Sequence, residues 1–209
     1  MSTQDTRLLR ILKLLYHQTD EDVKALADML LAQRKAAWEA AIREEAQRFG
    51  YTVRPHAPRR EDLAELRRMS EEDARSIVNT WNRDVDRQLA RLYQTNRRGN
   101  RHYYAKNMED WAAKRDVWKS RQIATYTEFS TKQYAQRRFW EMNGLRGARY
   151  VFDGPPPVCD DCRSLYGLGV VDQAVVDANP TPRHVGCPHF WRMLPWTADP
   201  PPLRELWVG

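Results

Sequence analysis

Apolar positions along the chain recur mostly at helical spacing. Residues 6–17 carry Leu8, Ile11, Leu12 and Leu15 on one stripe, and Leu9, Leu14 and Tyr16 widen it until little polar surface remains. A short helix apolar on most sides has to be covered by something. Thr19 followed by Asp20, Glu21 and Asp22 predicts a helix start, with acids in the first turn where the dipole favours them. That helix runs through Val23, Leu26, Ala27, Leu30, Ala37, Trp38 and Ala41, and Gly50 is its expected stop. Pro55 and Pro58 break the chain, and a short helix is expected over residues 59–68. Ser70, with Glu71, Glu72 and Asp73 behind it, predicts the opening of another helix. Its stripe is Ala74, Ile77, Val78, Trp81, Val85, Leu89 and Leu92, and the run TNRRGNRH after it reads as a loop.

From Asn107 a further helix is expected to run to Asn143, with Gly144 as its cap and Ser130 and Thr131 as a place to bend. Trp111, Trp118, Tyr126 and Phe129 form one apolar stripe, while Val117, Ala124, Ala135, Phe139 and Met142 form a second. Two apolar faces imply two neighbours, so this is the expected central helix of a bundle. The texture changes at residues 148–152, a strand-like run, and from there to Pro195 the chain is rich in Pro and Gly. The stretch between Cys162 and His184 shows little helical pattern. The tail combines Pro200, Pro201 and Pro202 with Leu203, Leu206 and Trp207. It is expected either to dock on a partner or to pack back on its own bundle. The expected organisation is a helical bundle over residues 1–147, a small lobe over 148–195 and a tail over 196–209. In fold class the chain reads as mainly α, an elongated helical bundle followed by a small zinc-stapled, loop-rich α+β lobe.

The zinc in that expectation comes from the cysteines. All three lie in the lobe: Cys159 and Cys162 as C-x2-C, then His184, Cys187 and His189 as H-x2-C-x-H. Tetrahedral zinc takes about four sulfur or nitrogen ligands, and two such pairs joined by a loop deliver them with little strain. An odd cysteine count does not suit a disulfide framework. Cys159, Cys162, His184 and Cys187 are the candidate ligands, with His189 as the alternative. A lobe of this size buries too little apolar surface to hold itself, and bound metal would supply what its core lacks.

Composition adds charge. Charged residues make up 30% of the chain and the net charge is +6. Residues 91–150 hold fourteen Lys and Arg against five acids, a local charge of +9. Arg97, Arg98, Arg101, Lys106, Lys114, Arg115, Lys119 and Arg121, interleaved with Tyr103, Tyr104, Trp111 and Trp118, are the candidate contacts to nucleic-acid phosphates. A solvated helix face, or a docking face for an acidic protein, explains the same charges. No apolar run approaches the length of a membrane span. The apolar patch at residues 8–15 is interrupted by Arg10 and Lys13, unlike a secretory leader, so a cytoplasm-like, reducing compartment is expected.

Taken together, residues 121–189 resemble the phage minor head proteins of the Mu F-like type, the head morphogenesis family. The positions that carry the resemblance are Arg121, Ala124, Thr127, Glu128, Gly144, Asp153, Cys159, Cys162, Gly167, His184 and Cys187. His189 stands where the family has a last cysteine, three prolines intervene between Asp153 and Cys159, and Val185-Gly186 replaces the family's Pro-Asn. The resemblance implies a minor structural protein of a tailed-phage head, acting in head assembly and DNA packaging at the portal or inner capsid surface. Its implied partners are the portal or major capsid protein, and packaged double-stranded DNA bound without sequence preference. Self-association is compatible with it. Its implied location is the virion, after assembly in the bacterial host cytoplasm.

No enzyme is expected. Zinc-dependent nucleobase deaminases pair P-C-x-x-C with an upstream H-x-E, and no His-x-Glu occurs here. Glu128 reads as a buried or capping partner rather than a catalyst. The alternative reading is a zinc-containing nucleic-acid-binding protein, or a nuclease acting on phage DNA.

Overall fold

The computed structural model describes residues 16–48, 58–97, 99–143, 149–157, 159–179, 181 and 189–194; within the helix at 101–142, the side chains at 116–119 and 121 are not described. The described chain is mainly helical. Three long helices, α1 (Asp20–Arg48), α2 (Arg60–Thr95) and α3 (Arg101–Met142), precede β1 (Tyr150–Asp153), α4 (Asp160–Tyr166), β2 (Val170–Val171), α5 (Gln173–Ala178) and β3 (Phe190–Met193). Among the described residues no helix is long and apolar enough to cross a membrane.

Two helix boundaries differ from the expectation. Ser70 does not open a helix: it is buried in the interior of α2, which is continuous from Arg60. The acids after it, Glu71 and Glu72, instead pair along the helix with Arg75 and Arg68. Likewise α3 begins at Arg101 rather than Asn107. Asn100 caps it, its side-chain oxygen accepting from Tyr103 N–H at 2.9 Å.

The chain divides into two compact units, residues 1–31 with 67–121 and residues 32–66 with 122–209, so each long helix contributes a segment to both. In the first unit α2 and α3 form a helical hairpin. Val85, Leu89 and Leu92 of α2 pack with Tyr104 and Met108 of α3, and Tyr16, Trp81, Tyr93, Tyr103 and Trp111 close the cluster. The turn is tight. Gly99 N–H donates to the Asn96 carbonyl at 3.1 Å, and a Cβ on Gly99 would meet the Tyr103 ring at 2.8 Å, so glycine is required by close approach. Ahead of α1, the Tyr16 carbonyl accepts from Trp81 Nε1 at 2.8 Å, and Gln18 exchanges two hydrogen bonds with Asn82. Of the apolar run at 8–16 only Tyr16 is described, and it packs on its own hairpin.

The second unit contains the sheet. Its order is β2-β1-β3, antiparallel throughout, with Tyr150 opposite Met193 and Phe152 opposite Trp191 on the buried face. The strand expected at 148–152 is β1; β2, β3 and the short helices α4 and α5 make up the rest of the expected α+β lobe, at positions the sequence reading does not give. Tyr150 stacks at a tilt on Trp140 of α3, 5.1 Å between centroids, and Arg48 Nη2 of α1 donates to the Met193 carbonyl at 2.7 Å. The lobe is thereby joined to helix segments of its own unit by both apolar and polar contacts. The tail at 196–209 lies outside the described residues.

Candidate metal centre and basic surface

After β1, Gly154 takes a positive φ of 139° and turns the chain toward the prolines and Cys159. Cys159 is the N-cap of α4, with extended backbone, and its Sγ accepts the backbone N–H of Cys162 at 3.4 Å. An amide N–H directed at sulfur stabilises negative charge there, which is what a thiolate ligand requires. Cys162 is fully buried, one turn into the helix, and Leu165 holds α4 down beside it. The pair therefore presents one partly exposed and one buried sulfur from a single turn of backbone. Gly169, at φ 68°, supplies the left-handed residue needed to pass from α4 into β2.

His189 immediately precedes β3. Its ring is buried, stacks on Phe152 at 5.3 Å and an interplanar angle of 12°, and directs Nε2 at the Pro155 carbonyl, 2.7 Å away. A carbonyl only accepts, so Nε2 carries the proton and any metal bond from this ring would use Nδ1. Among the described residues no three His, Cys, Asp or Glu are grouped so as to hold a metal. His184 and Cys187 lie outside the described residues, so two of the four favoured ligands, Cys159 and Cys162, are placed. The neighbouring acid Asp153 accepts from Gly154 N–H and pairs with Arg192 across β1 and β3.

The basic candidates separate by helix face. Arg97, Arg101, Lys106 and Lys114 are exposed. Arg115 is part-buried: it pairs with Asp84 and its guanidinium lies 5.4 Å from the Trp111 ring centre. It stands four residues after Trp111 and seven after Met108, on the inward stripe of α3, a phase that charge counting ignores. Arg98 and the side chains of Lys119 and Arg121 lie outside the described residues. Exposed Glu109 and Asp110 follow Lys106 on α3 and dilute that face.

Of the positions carrying the family resemblance, Thr127 is buried, its carbonyl accepting from Ser130 and Thr131 hydroxyls. Glu128 is neither buried nor a cap; it is exposed and pairs with Lys132 one turn on, at 2.9 Å.

The polar interior of the second unit went unforeseen. Arg34, fully buried, donates to Ser130 Oγ and Thr131 Oγ1 at 2.9 and 2.8 Å. Glu45, also buried, accepts from Trp140 Nε1 at 2.8 Å, Gln136 Nε2 at 3.2 Å and Arg48 Nη1 at 2.9 Å. Asp62 accepts from Tyr134 OH at 2.9 Å and Arg138 Nε at 2.7 Å. Burial first, and the bond to Asp62 second, hold the Tyr134 phenol above its usual range. The sequence contained a signal: Arg34 and Glu45 fall in register with Leu30, Trp38 and Ala41 on the apolar stripe of α1.

No family model, no curated protein and no solved structure matches this chain.

Proposed function

We propose that this chain is a minor structural protein of a tailed-phage head, acting in head assembly and DNA packaging at the portal or inner capsid surface. The observation that carries the reading is local. Four positions of the family resemblance, Asp153, Cys159, Cys162 and Gly167, occupy one strand–turn–helix unit: the end of β1, the N-cap and first turn of α4, and its C-cap. That is how a zinc-stapled adaptor would be arranged.

In this reading zinc is held by Cys159, Cys162, Cys187 and His184, with His189 as the alternative through Nδ1. The amide N–H on Cys159 Sγ suits a thiolate donor, and the charge of a bound zinc would be needed to ionise the buried Cys162. The ion would act as a structural cross-link, contributing about 10–16 kcal/mol of apparent binding energy to the folding of the lobe. The terminal apolar segments at 8–16, apart from Tyr16, which packs on the hairpin, and at 196–207 would dock on the portal or major capsid protein, and duplex DNA would be a further, sequence-independent partner.

Two measurements test this. Full-length protein purified without added metal should contain about one zinc per chain, and Cys162→Ser should abolish it while loosening the lobe. Deleting residues 196–209 should leave the helices folded and lower incorporation into particles or the yield of filled heads. Metal-free protein with an ordered lobe would overturn the zinc assignment, and normal infectious particles without the protein would overturn the assembly role.

A further inference from the structure

Exposed positions between residues 76 and 106 hold six cations, Arg83, Arg87, Arg91, Arg97, Arg101 and Lys106, and, among the described residues, no carboxylate. The two acids of the stretch, Asp84 and Asp86, are each partly buried. Asp84 is held by Arg115 and also stands 3.5 Å from Arg87, and Asp86 lies 3.1 Å from His17. Arg83, Arg87 and Arg91 follow one another four residues apart, in steps of about 6 Å along α2. They occupy the side of the helix opposite Val85, Leu89 and Leu92, which face α3. The row continues off the end of α2 at Thr95 into Arg97 of the turn and Arg101 at the start of α3.

We infer that this row, the outer face of α2 continued through the α2–α3 turn, is a duplex DNA binding surface that grips the phosphate backbone. Its composition selects among polyanions. A protein interface needs an apolar core inside its polar rim, and an anionic membrane surface holds a protein through inserted apolar groups as well as charge. The exposed large apolar side chains of the described chain are Met29, Tyr166, Leu168 and Val170, none of which lies on this stretch. A phosphate backbone requires only charge and donors, and five of the six cations are Arg, whose planar fork matches phosphate oxygens two at a time. The row is proposed to meet phosphates rather than base edges, which makes the grip sequence-independent. The inference rests on the proposed function only for the choice of double-stranded DNA as the polyanion. It also shifts the basic surface toward α2, adding Arg83 and Arg87 to Arg91, Arg97, Arg101 and Lys106 and leaving out the part-buried Arg115.

The test is fluorescence anisotropy of the full-length chain with a labelled DNA duplex of arbitrary sequence, titrated between about 50 and 200 mM salt. Six phosphates neutralised give a slope of about −5 in log K against log salt, and Arg83→Gln/Arg87→Gln/Arg91→Gln should reduce it to about −3 and weaken low-salt binding at least about tenfold. A control of equal charge change on α1, Lys24→Gln/Lys35→Gln/Arg43→Gln, should leave the slope near its starting value. All six positions are exposed, so folding should survive; should the triple variant not fold, Arg87→Gln alone lowers the slope by about 1. Equal loss in the α1 control, an unchanged slope in the α2 variant, or competition by polyglutamate as effective as by duplex each overturns the inference, the last in favour of an acidic protein partner. Particle incorporation is read separately, so failure of DNA binding and failure of the assembly role remain distinct results.

Discussion

The interior of the α2–α3 hairpin and the interior of the lobe-bearing unit are built by different rules. The hairpin cluster is aliphatic and aromatic, and Arg115, the cation on its inward stripe, is paired with Asp84 and covered by Trp111. The second unit also buries large apolar groups, among them Trp38, Phe139, Trp140 and Trp191, but threads Arg34, Glu45, Asp62, Gln133 and Gln136 between them. Apolar contacts tolerate small shifts in register. A buried carboxylate does not, because each donor it loses leaves an unpaired group in a low-dielectric surround. The first unit therefore tolerates small shifts in helix register, while the second holds its helices in one register against the sheet. Glu45 is the clearest case, since its partner Arg48 also donates to the Met193 carbonyl of β3.

The largest effect should come from breaking that arrangement. Glu45→Ala leaves Trp140 Nε1, Gln136 Nε2 and Arg48 without their acceptor and should cost about 3–5 kcal/mol. Leu89→Ala in the hairpin should cost about 2–5 kcal/mol through an ordinary cavity. The two differ in kind: Glu45→Gln keeps an acceptor for Trp140 and should recover part of the loss, whereas no polar replacement restores Leu89. Urea unfolding with the slope held constant measures all three. A Glu45→Ala variant less affected than Leu89→Ala would show that the polar seam does not hold the second unit.

The same contrast explains what could be read in advance. The stripe Val85, Leu89 and Leu92 was legible because apolar periodicity reports the face that packs, and the cap at Thr19 because its chemistry is local. Arg34 and Glu45 were passed over because composition scores a charge as solvated, although their phase placed them among Leu30, Trp38 and Ala41. Ser70 misled for the opposite reason: its sequence context is that of an N-cap, yet helix packing on both sides carries α2 straight through it. The C-x2-C pair was legible as a donor set, and its seat at the start of α4 was not, since a seven-residue helix leaves almost no periodicity to read. Strands β2 and β3 are fixed by pairing with β1, a non-local condition that a run of two or four residues does not announce.

A smaller effect sharpens the comparison from the side of pH. Tyr134→Phe removes one of the donors to Asp62 and should cost about 1 kcal/mol, because Arg138 remains. The Tyr134 phenol is raised above the unfolded value near 10, by burial and then by the Asp62 bond, so folding favours its protonated form. Its contribution is complete below pH 10 and is lost as pH rises from there through the folded value. Wild type should accordingly lose stability above pH 10 more steeply than Tyr134→Phe, as followed by thermal melting with tyrosinate absorbance alongside. Parallel curves would mean that the phenol is not held by Asp62.

The smallest effect lies at the surface of the first unit. Thr19 and Asp22 form a reciprocal box at the start of α1: Thr19 N–H and Oγ1 both donate to Asp22 Oδ2, at 2.7 and 2.8 Å, and Asp22 N–H returns to Thr19 Oγ1 at 3.4 Å. The backbone bond from Thr19, then its hydroxyl, lower the Asp22 pKa below the ordinary carboxylate value. A depressed folded pKa means that this contribution is present above the unfolded carboxylate pKa and disappears as pH falls through the lower folded one. Thr19→Ala removes the hydroxyl and keeps the backbone donor, so Asp22 should titrate higher than in wild type while remaining below a free carboxylate. Side-chain carboxyl NMR titration of Asp22 reads this directly, and amide exchange in the first turn of α1 should quicken with it. Because the box is fully exposed, its loss should fray that turn and leave the hairpin cluster intact; a melting shift comparable to that of Leu89→Ala would show that the start of α1 is coupled to the hairpin interior rather than resting on it.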